Sequence, residues 1–213
     1  MTFARLVARD LRRAWASGGV VAPVIFFLLV ATLFPFAVGP DRALLARVGG
    51  GVVWTAALLA ALLPVERLVA PDMEAGVIDQ LRLRGVAEPV VAAAKIVAHW
   101  LSFAPSLMAA AIIAAGLLGL PAEVLATVEW GLLIGTPGLA ALAVATAALT
   151  ASLRGGGAVA GLVMLPLGVP LLIFGAGAGD QGLGAFKLLA AVSLFYVAGA
   201  PFVAGAAMRM ARD

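Results

Sequence analysis

The chain has 213 residues, 64% of them hydrophobic and 12% charged, with a mean hydropathy of +1.14 and a formal charge of +3. Soluble domains run near half apolar and a quarter charged, so a soluble globule of this composition could not cover its surface with polar groups, and disorder is excluded for the same reason. With no cysteine in the chain, a disulfide-built secreted scaffold is excluded as well.

The first 19 residues place Phe3, Leu6, Val7, Leu11 and Ala14 at helical spacing among Arg5, Arg9, Arg12 and Arg13. This pattern predicts a short amphipathic helix at a membrane interface, with Trp15 at headgroup depth. It serves either as a topology anchor alone or also as a contact for a partner subunit. Six charge-free runs follow: 27 residues between Arg13 and Asp41, 18 between Arg47 and Glu66, 27 between Lys95 and Glu123, 24 between Glu129 and Arg154, 25 between Arg154 and Asp180, and 21 between Lys187 and Arg209. At about 1.5 Å per residue the shortest run spans roughly 27 Å, close to the bilayer hydrocarbon core. The expected spans are 20–39, 48–65, 92–119, 130–152, 156–176 and 187–208, in a single permease domain over 1–213. None alternates apolar and polar residues, so a β-barrel is excluded. The first apolar stretch, Val20 to Val38, is longer than a signal-peptide core of about 7–15 residues, and Ala37-Val38-Gly39 is followed by Pro40; the first span is read as uncleaved.

Between the second and third spans lies the largest polar segment, 66–89, with 8 of the 25 charges in the chain. Pro71 interrupts the extension of the second span, and Gly76 is placed to close a turn at positive φ. Val77 to Arg84 form a short helix ended by Gly85 and Pro89. Val77, Ile78 and Leu81 make its apolar face, Asp79 and Arg82 its charged one. So small a segment cannot bury an apolar face by itself, so the face predicts a groove on another protein. A helix held between two spans in this way transmits force from a soluble partner into both; an ordinary polar loop is the plainer alternative.

Beyond it, His99 lies one turn past Lys95 and beside Trp100. It is read as an interfacial histidine hydrogen-bonded to a neighbouring helix, against the alternatives of a haem contact or a pH-sensitive hinge. No acidic residue falls inside a span as drawn, which weakens an ion-coupled carrier. Pro166 and Pro170, four apart, predict that the fifth span is kinked or locally broken, a candidate gating point. Gly175 to Gly184 read as a flexible external turn, with half-helices dipping into the membrane as the alternative.

Orientation follows from Arg and Lys. With both termini cytoplasmic, 11 basic residues lie inside and 3 outside (Arg42, Arg47, Lys187), the expected bias of a polytopic membrane protein. The basic character is thus a topology signal and implies no nucleic acid. Catalytic patterns fail on inspection. Gly177 to Gly182 match GxGxxG without a preceding strand, and their GxGD string lacks a second membrane aspartate. One histidine and no cysteine cannot build a metal site, and no GxSxG-like turn is present. No Walker motif occurs, so any ATP is hydrolysed elsewhere.

Several stretches, taken together, resemble the CcmB family, the membrane permease subunits of the bacterial haem-exporter ABC complex. They are FPFAVGPDRALLARVGGGVVW (34–54), ERLVAPDMEAGVIDQL (66–81), AKIVAHW (94–100), GTPGLAALAV (135–144) and LRGGGAVAGLVMLPLGVPLLIFG (153–175). Within them, Gly76 to Leu81 carry the G-x-x-[DE]-Q-L string of type-2 ABC exporter permeases, with Asp79 where Glu is commoner. The resemblance implies an all-α inner-membrane protein with six transmembrane helices and a cytoplasmic coupling helix between the second and third. It also implies a homodimer that docks a separate ATPase, CcmA, and works with CcmC, CcmD and the haem chaperone CcmE in cytochrome c maturation. Haem is then the substrate, ATP acts through the partner, and this subunit is non-catalytic with no cofactor of its own. The implied ATPase-coupling residues are Glu66, Arg67, Asp72, Gly76, Val77, Ile78, Asp79, Gln80 and Leu81. Scattered Trp15, Trp54, Trp100 and Trp130 form no tryptophan-rich haem segment, which argues against CcmC. A type-2 permease for a lipid or drug, and a non-transporting scaffold, are the alternatives.

Overall fold

The computed structural model describes residues 2–39, 41–153 and 156–211, apart from the side chains at 180 and 181. The described residues form helices and no strand. Six helices are long and apolar enough to cross a membrane: α2 (Val21–Val38), α3 (Arg42–Leu62), α7 (Glu88–Leu118), α8 (Ala122–Thr150), α9 (Gly156–Ala176) and α11 (Leu183–Met210). The protein is a multi-pass membrane protein. Five short helices complete it: α1 (Phe3–Ala16), α4 (Val65–Leu68), α5 (Ala70–Glu74), α6 (Val77–Leu83) and α10 (Ala178–Gln181).

Several spans extend past their charge-free runs, because a charge at a helix end needs only water or a cap. Thus α3 begins at Arg42, where the Asp41 carboxylate accepts from the Ala43 and Leu44 amides at 2.9 and 3.1 Å, an N-cap that outweighs the cost of nearby charge. Helix α8 likewise begins at Ala122 and continues past Glu129, whose Oε1 is buried and unpartnered among the described residues.

Helix α8 is the centre of the bundle. Leu139 to Val144 are buried without a break, and α8 packs on α3, α7, α9 and α11. Lipid tails are as apolar as leucine, so the helices are held by close packing of small residues. The clearest case is Trp54 of α3, which is fully buried. Its indole lies over Gly131 and Gly135 of α8 and Gly175 of α9, and at Gly135 and Gly175 an added Cβ would overlap the ring. By contrast α2 buries only Pro23, Phe27 and Ala31, one stripe four residues apart.

Close approaches fix the direction of each span. Gly205, near the end of α11, abuts Pro89 at the start of α7, and the Glu66 side chain lies over Gly157 at the start of α9. At the opposite end Gly49 of α3 sits under Leu120, between α7 and α8. The helices α1, α4, α5 and α6 therefore collect at the end where α3, α8 and α11 finish, here called the α6 end.

Helix α9 continues through Pro166 and Pro170, so the local break is not present there. Pro170 leaves the Pro166 carbonyl without an amide partner, and beside it the Tyr196 hydroxyl of α11 donates to the Leu167 carbonyl at 2.6 Å; neighbouring helices compensate prolines in this way. The glycine-rich segment 175–184 is largely helical, with α10 inserted between α9 and α11.

Candidate functional site

The segment after α3 folds as three short helices because its sequence stops each one. Pro71 sits in the first turn of α5, where its missing N–H costs nothing. Gly76, at φ +67°, makes the reversal into α6 that a side chain would resist. Helix α6 then lies against α1 and α7. Leu81 joins Leu6 of α1 and Val91 and Ala94 of α7 in a small apolar cluster, while Ile78 belongs to the main core. The outward face shows Asp79, Gln80, Arg82 and Leu83, the last 88% exposed.

Beneath α6, Asp72 of α5 is only 2% exposed and gathers three cations from two other helices. Arg9 Nη2 donates to its Oδ2 at 2.6 Å, Arg13 Nη1 to its Oδ1 at 2.7 Å, and Lys95 Nζ also to Oδ2. Asp10 stands 3.4 Å from the same Lys95 ammonium and is paired with Arg9. Burial alone would push the Asp72 carboxyl up, but Lys95, Arg9 and Arg13 outweigh it and hold the group below its ordinary value of 3.8. The Arg9 guanidinium, disfavoured by burial, is raised by Asp10 and Asp72. A buried carboxylate with three donors is a fixed joint. It ties α1, α5 and α7 into one unit.

Beside this joint a cavity of about 290 Å³ opens between the end of α1, the start of α2, α4 and α7. Arg13, Arg67, Lys95 and Asp10 supply its charged lining, and His99 forms part of its wall. His99 is 7% exposed and stacks on Phe103 at 5.4 Å between ring centroids. Its Nε2 is buried without a hydrogen-bond partner among the described residues, so the expected bond to a neighbouring helix is not made at that nitrogen.

The family model for CcmB protein matches residues 1–211. The chain belongs to the CcmB family. It is 42% identical over 212 residues to "Heme exporter protein B" of Rhodobacter capsulatus, covering 96% of this chain and 97% of that one. It is 39% identical to the protein of that name from Haemophilus influenzae over the whole of both chains. With the protein of that name from Escherichia coli K12 it shares 37% identity over 99% of each. The CcmB match takes in α1, so the helix that carries Arg9 and Arg13 lies within it.

In this CcmB chain the residues singled out as coupling residues fall into two sets. Glu66, Arg67, Asp79 and Gln80 are exposed. Asp72, Ile78 and Leu81 are buried, and Val77 and Gly76 are partly so. The apolar face of α6, expected to need another protein, is corrected: it is covered by α1 and α7 of the same chain, because the amphipathic α1 folds back onto it. Arg154 and Gly155 lie outside the described residues. Sequence reasoning missed Leu6, Arg9, Arg13 and Lys95 as partners of the segment. Their separations of 59 and 63 residues from Asp72 for Arg13 and Arg9 leave no local pattern to read.

Proposed function

We propose that this chain is the membrane permease subunit of an ATP-driven haem exporter that serves cytochrome c maturation. The observation that carries the reading is helix α6. It is clamped through Ile78 and Leu81 to the core, α1 and α7 while Asp79, Gln80 and Leu83 face outward. A soluble ATPase that pushes on the outward face moves α7 and α1 with it, because the Asp72 joint prevents the segment from yielding alone. The chain is non-catalytic, and ATP is hydrolysed by CcmA. CcmC, CcmD and CcmE are the further partners, and two copies of this chain form the permease. Haem is the substrate; no residue, His99 included, is given the role of haem ligand.

The α6 end faces the cytoplasm of a bacterial inner membrane, with both termini on that side. Support comes from charge: Arg5, Arg9, Arg12, Arg13, Arg67, Arg82, Arg84, Lys95 and Arg209 lie at that end, against Arg42, Arg47 and Lys187 at the other. The relatives named "Heme exporter protein B", at about 40% identity over nearly full length, support the substrate.

Haem staining of membrane and periplasmic proteins from a deletion strain, with and without a plasmid copy, tests the function. Loss of c-type bands alone, restored by the plasmid, is the expected result; unchanged bands refute the assignment to cytochrome c maturation. For the coupling face, Asp79→Lys and Leu83→Asp are each expected to weaken ATPase association, and Leu83→Asp, at an 88% exposed position, to do so with the chain's own Tm unchanged. Association that survives both Asp79→Lys and Leu83→Asp would overturn α6 as the docking element.

A further inference from the structure

The cavity beside the Asp72 joint has a chemistry that the coupling reading does not use. Arg13, Arg67, Lys95 and Asp10 line it; counting Arg9 and the Asp72 carboxylate that Arg13 and Lys95 share, four cations stand against two carboxylates. Arg67 makes no ion pair among the described residues. His99, more than nine-tenths buried on the same wall, leaves Nε2 unpartnered, and an imidazole protonated there is a hydrogen-bond donor. An unpaired guanidinium and a buried imidazole, within a local excess of positive charge, make a site for phosphate oxygens.

The remaining wall is apolar, formed by Val20, Pro23 and Phe103. At this rim the membrane-spanning helix α2 begins, so the cavity lies at the end of a span, at the depth of lipid headgroups. Basic pockets between helices at the membrane surface select anionic headgroups.

We propose that this cavity binds the phosphodiester headgroup of an anionic phospholipid between Arg67 and His99, with Arg13 and Lys95 adding positive charge to the wall. The lipid thereby touches α1, α4 and α7 together. The site stands independently of the substrate that the permease moves.

The test uses the full chain purified in detergent, titrated with phosphatidylglycerol, phosphatidylcholine or inorganic phosphate and read by native mass spectrometry and Tm. Phosphatidylglycerol is expected to be retained and to raise Tm, with phosphatidylcholine and inorganic phosphate without effect. Arg67→Gln removes one charge-assisted contact and should weaken phosphatidylglycerol binding roughly ten- to a hundredfold. Arg12→Gln, an exposed position on α1 outside the cavity, should leave it unchanged. Should Arg67→Gln fail to fold, Ser17→Trp, at an exposed lining position, blocks the mouth and is expected to abolish retention. Equal binding of both lipids, equal loss in Arg12→Gln, or binding that survives the lining variants overturns the site. A full Tm shift from inorganic phosphate alone overturns the lipid and leaves a free-phosphate site.

Discussion

Replacement of Asp72 by alanine is the sharpest challenge to the joint. The change removes the acceptor of Lys95, which is 5% exposed, and of Arg9 and Arg13. Arg13 is 58% exposed and contributes about 0–1 kcal/mol. Removing one partner of a buried pair costs about 3–5 kcal/mol, because the other charge is left uncompensated. Here Lys95 keeps Asp10 at 3.4 Å, so the lower end, about 3 kcal/mol, is expected. Applied to the docking of α1, this is on the order of a hundredfold in the undocked population. The chain has no cysteine, so a single Leu6→Cys reports undocking directly: Leu6 is 2% exposed and reacts with a thiol reagent only when α1 lifts. The labelling rate in Leu6→Cys/Asp72→Ala should exceed that of Leu6→Cys alone by about that factor. Equal rates would refute the claim that the cluster holds α1.

The same labelling gives a pH profile. The folded Asp72 carboxyl titrates below its ordinary value of 3.8, so its contribution is complete above that value and fades as pH falls through the lower, folded one; labelling, divided at each pH by the rate of a fully exposed cysteine because the thiolate is the nucleophile, should be flat above about pH 5 and rise in acid. Gly135→Ala or Gly175→Ala forces Trp54 out of its groove and should cost about 1–3 kcal/mol. Trp54→Phe should restore part of the lost Tm, and strict additivity of the two changes would sink the packing account. Tyr196→Phe removes the donor to the Leu167 carbonyl, with an expected loss of about 0.6 kcal/mol, measured by reversible unfolding in detergent.

Charge spacing alone gave six apolar helices, because a charge is costly at the bilayer centre whatever the fold around it. The turn at Gly76 was equally local and equally readable. The joint was not: Asp72 looked like any polar loop residue until Arg9, Arg13 and Lys95 were folded around it. The apolar face of α6 misled for the same reason, since Leu6, which covers Leu81, lies 75 residues upstream. A legible signal did exist for the Trp54 groove, in the Gly131-x-x-x-Gly135 spacing of α8 that admits a close neighbour. Helix α8 starts well before the expected span, since a helix continues past charges such as Glu123 and Glu129 near its end.

Helix α1 leaves the ribosome long before its anchor exists. At about 5–20 residues per second, the 85 residues between Asp10 and Lys95 take roughly 4–17 s to synthesise. Throughout that interval Leu6 and Val7 have no Leu81 or Val91 to cover them, and Arg9 and Arg13 have no Asp72. Two spans are threaded behind this helix before those partners are made. Only after the third span arrives does α1 gain its protein contacts, so the last step in assembling this end of the molecule recruits a segment made long before.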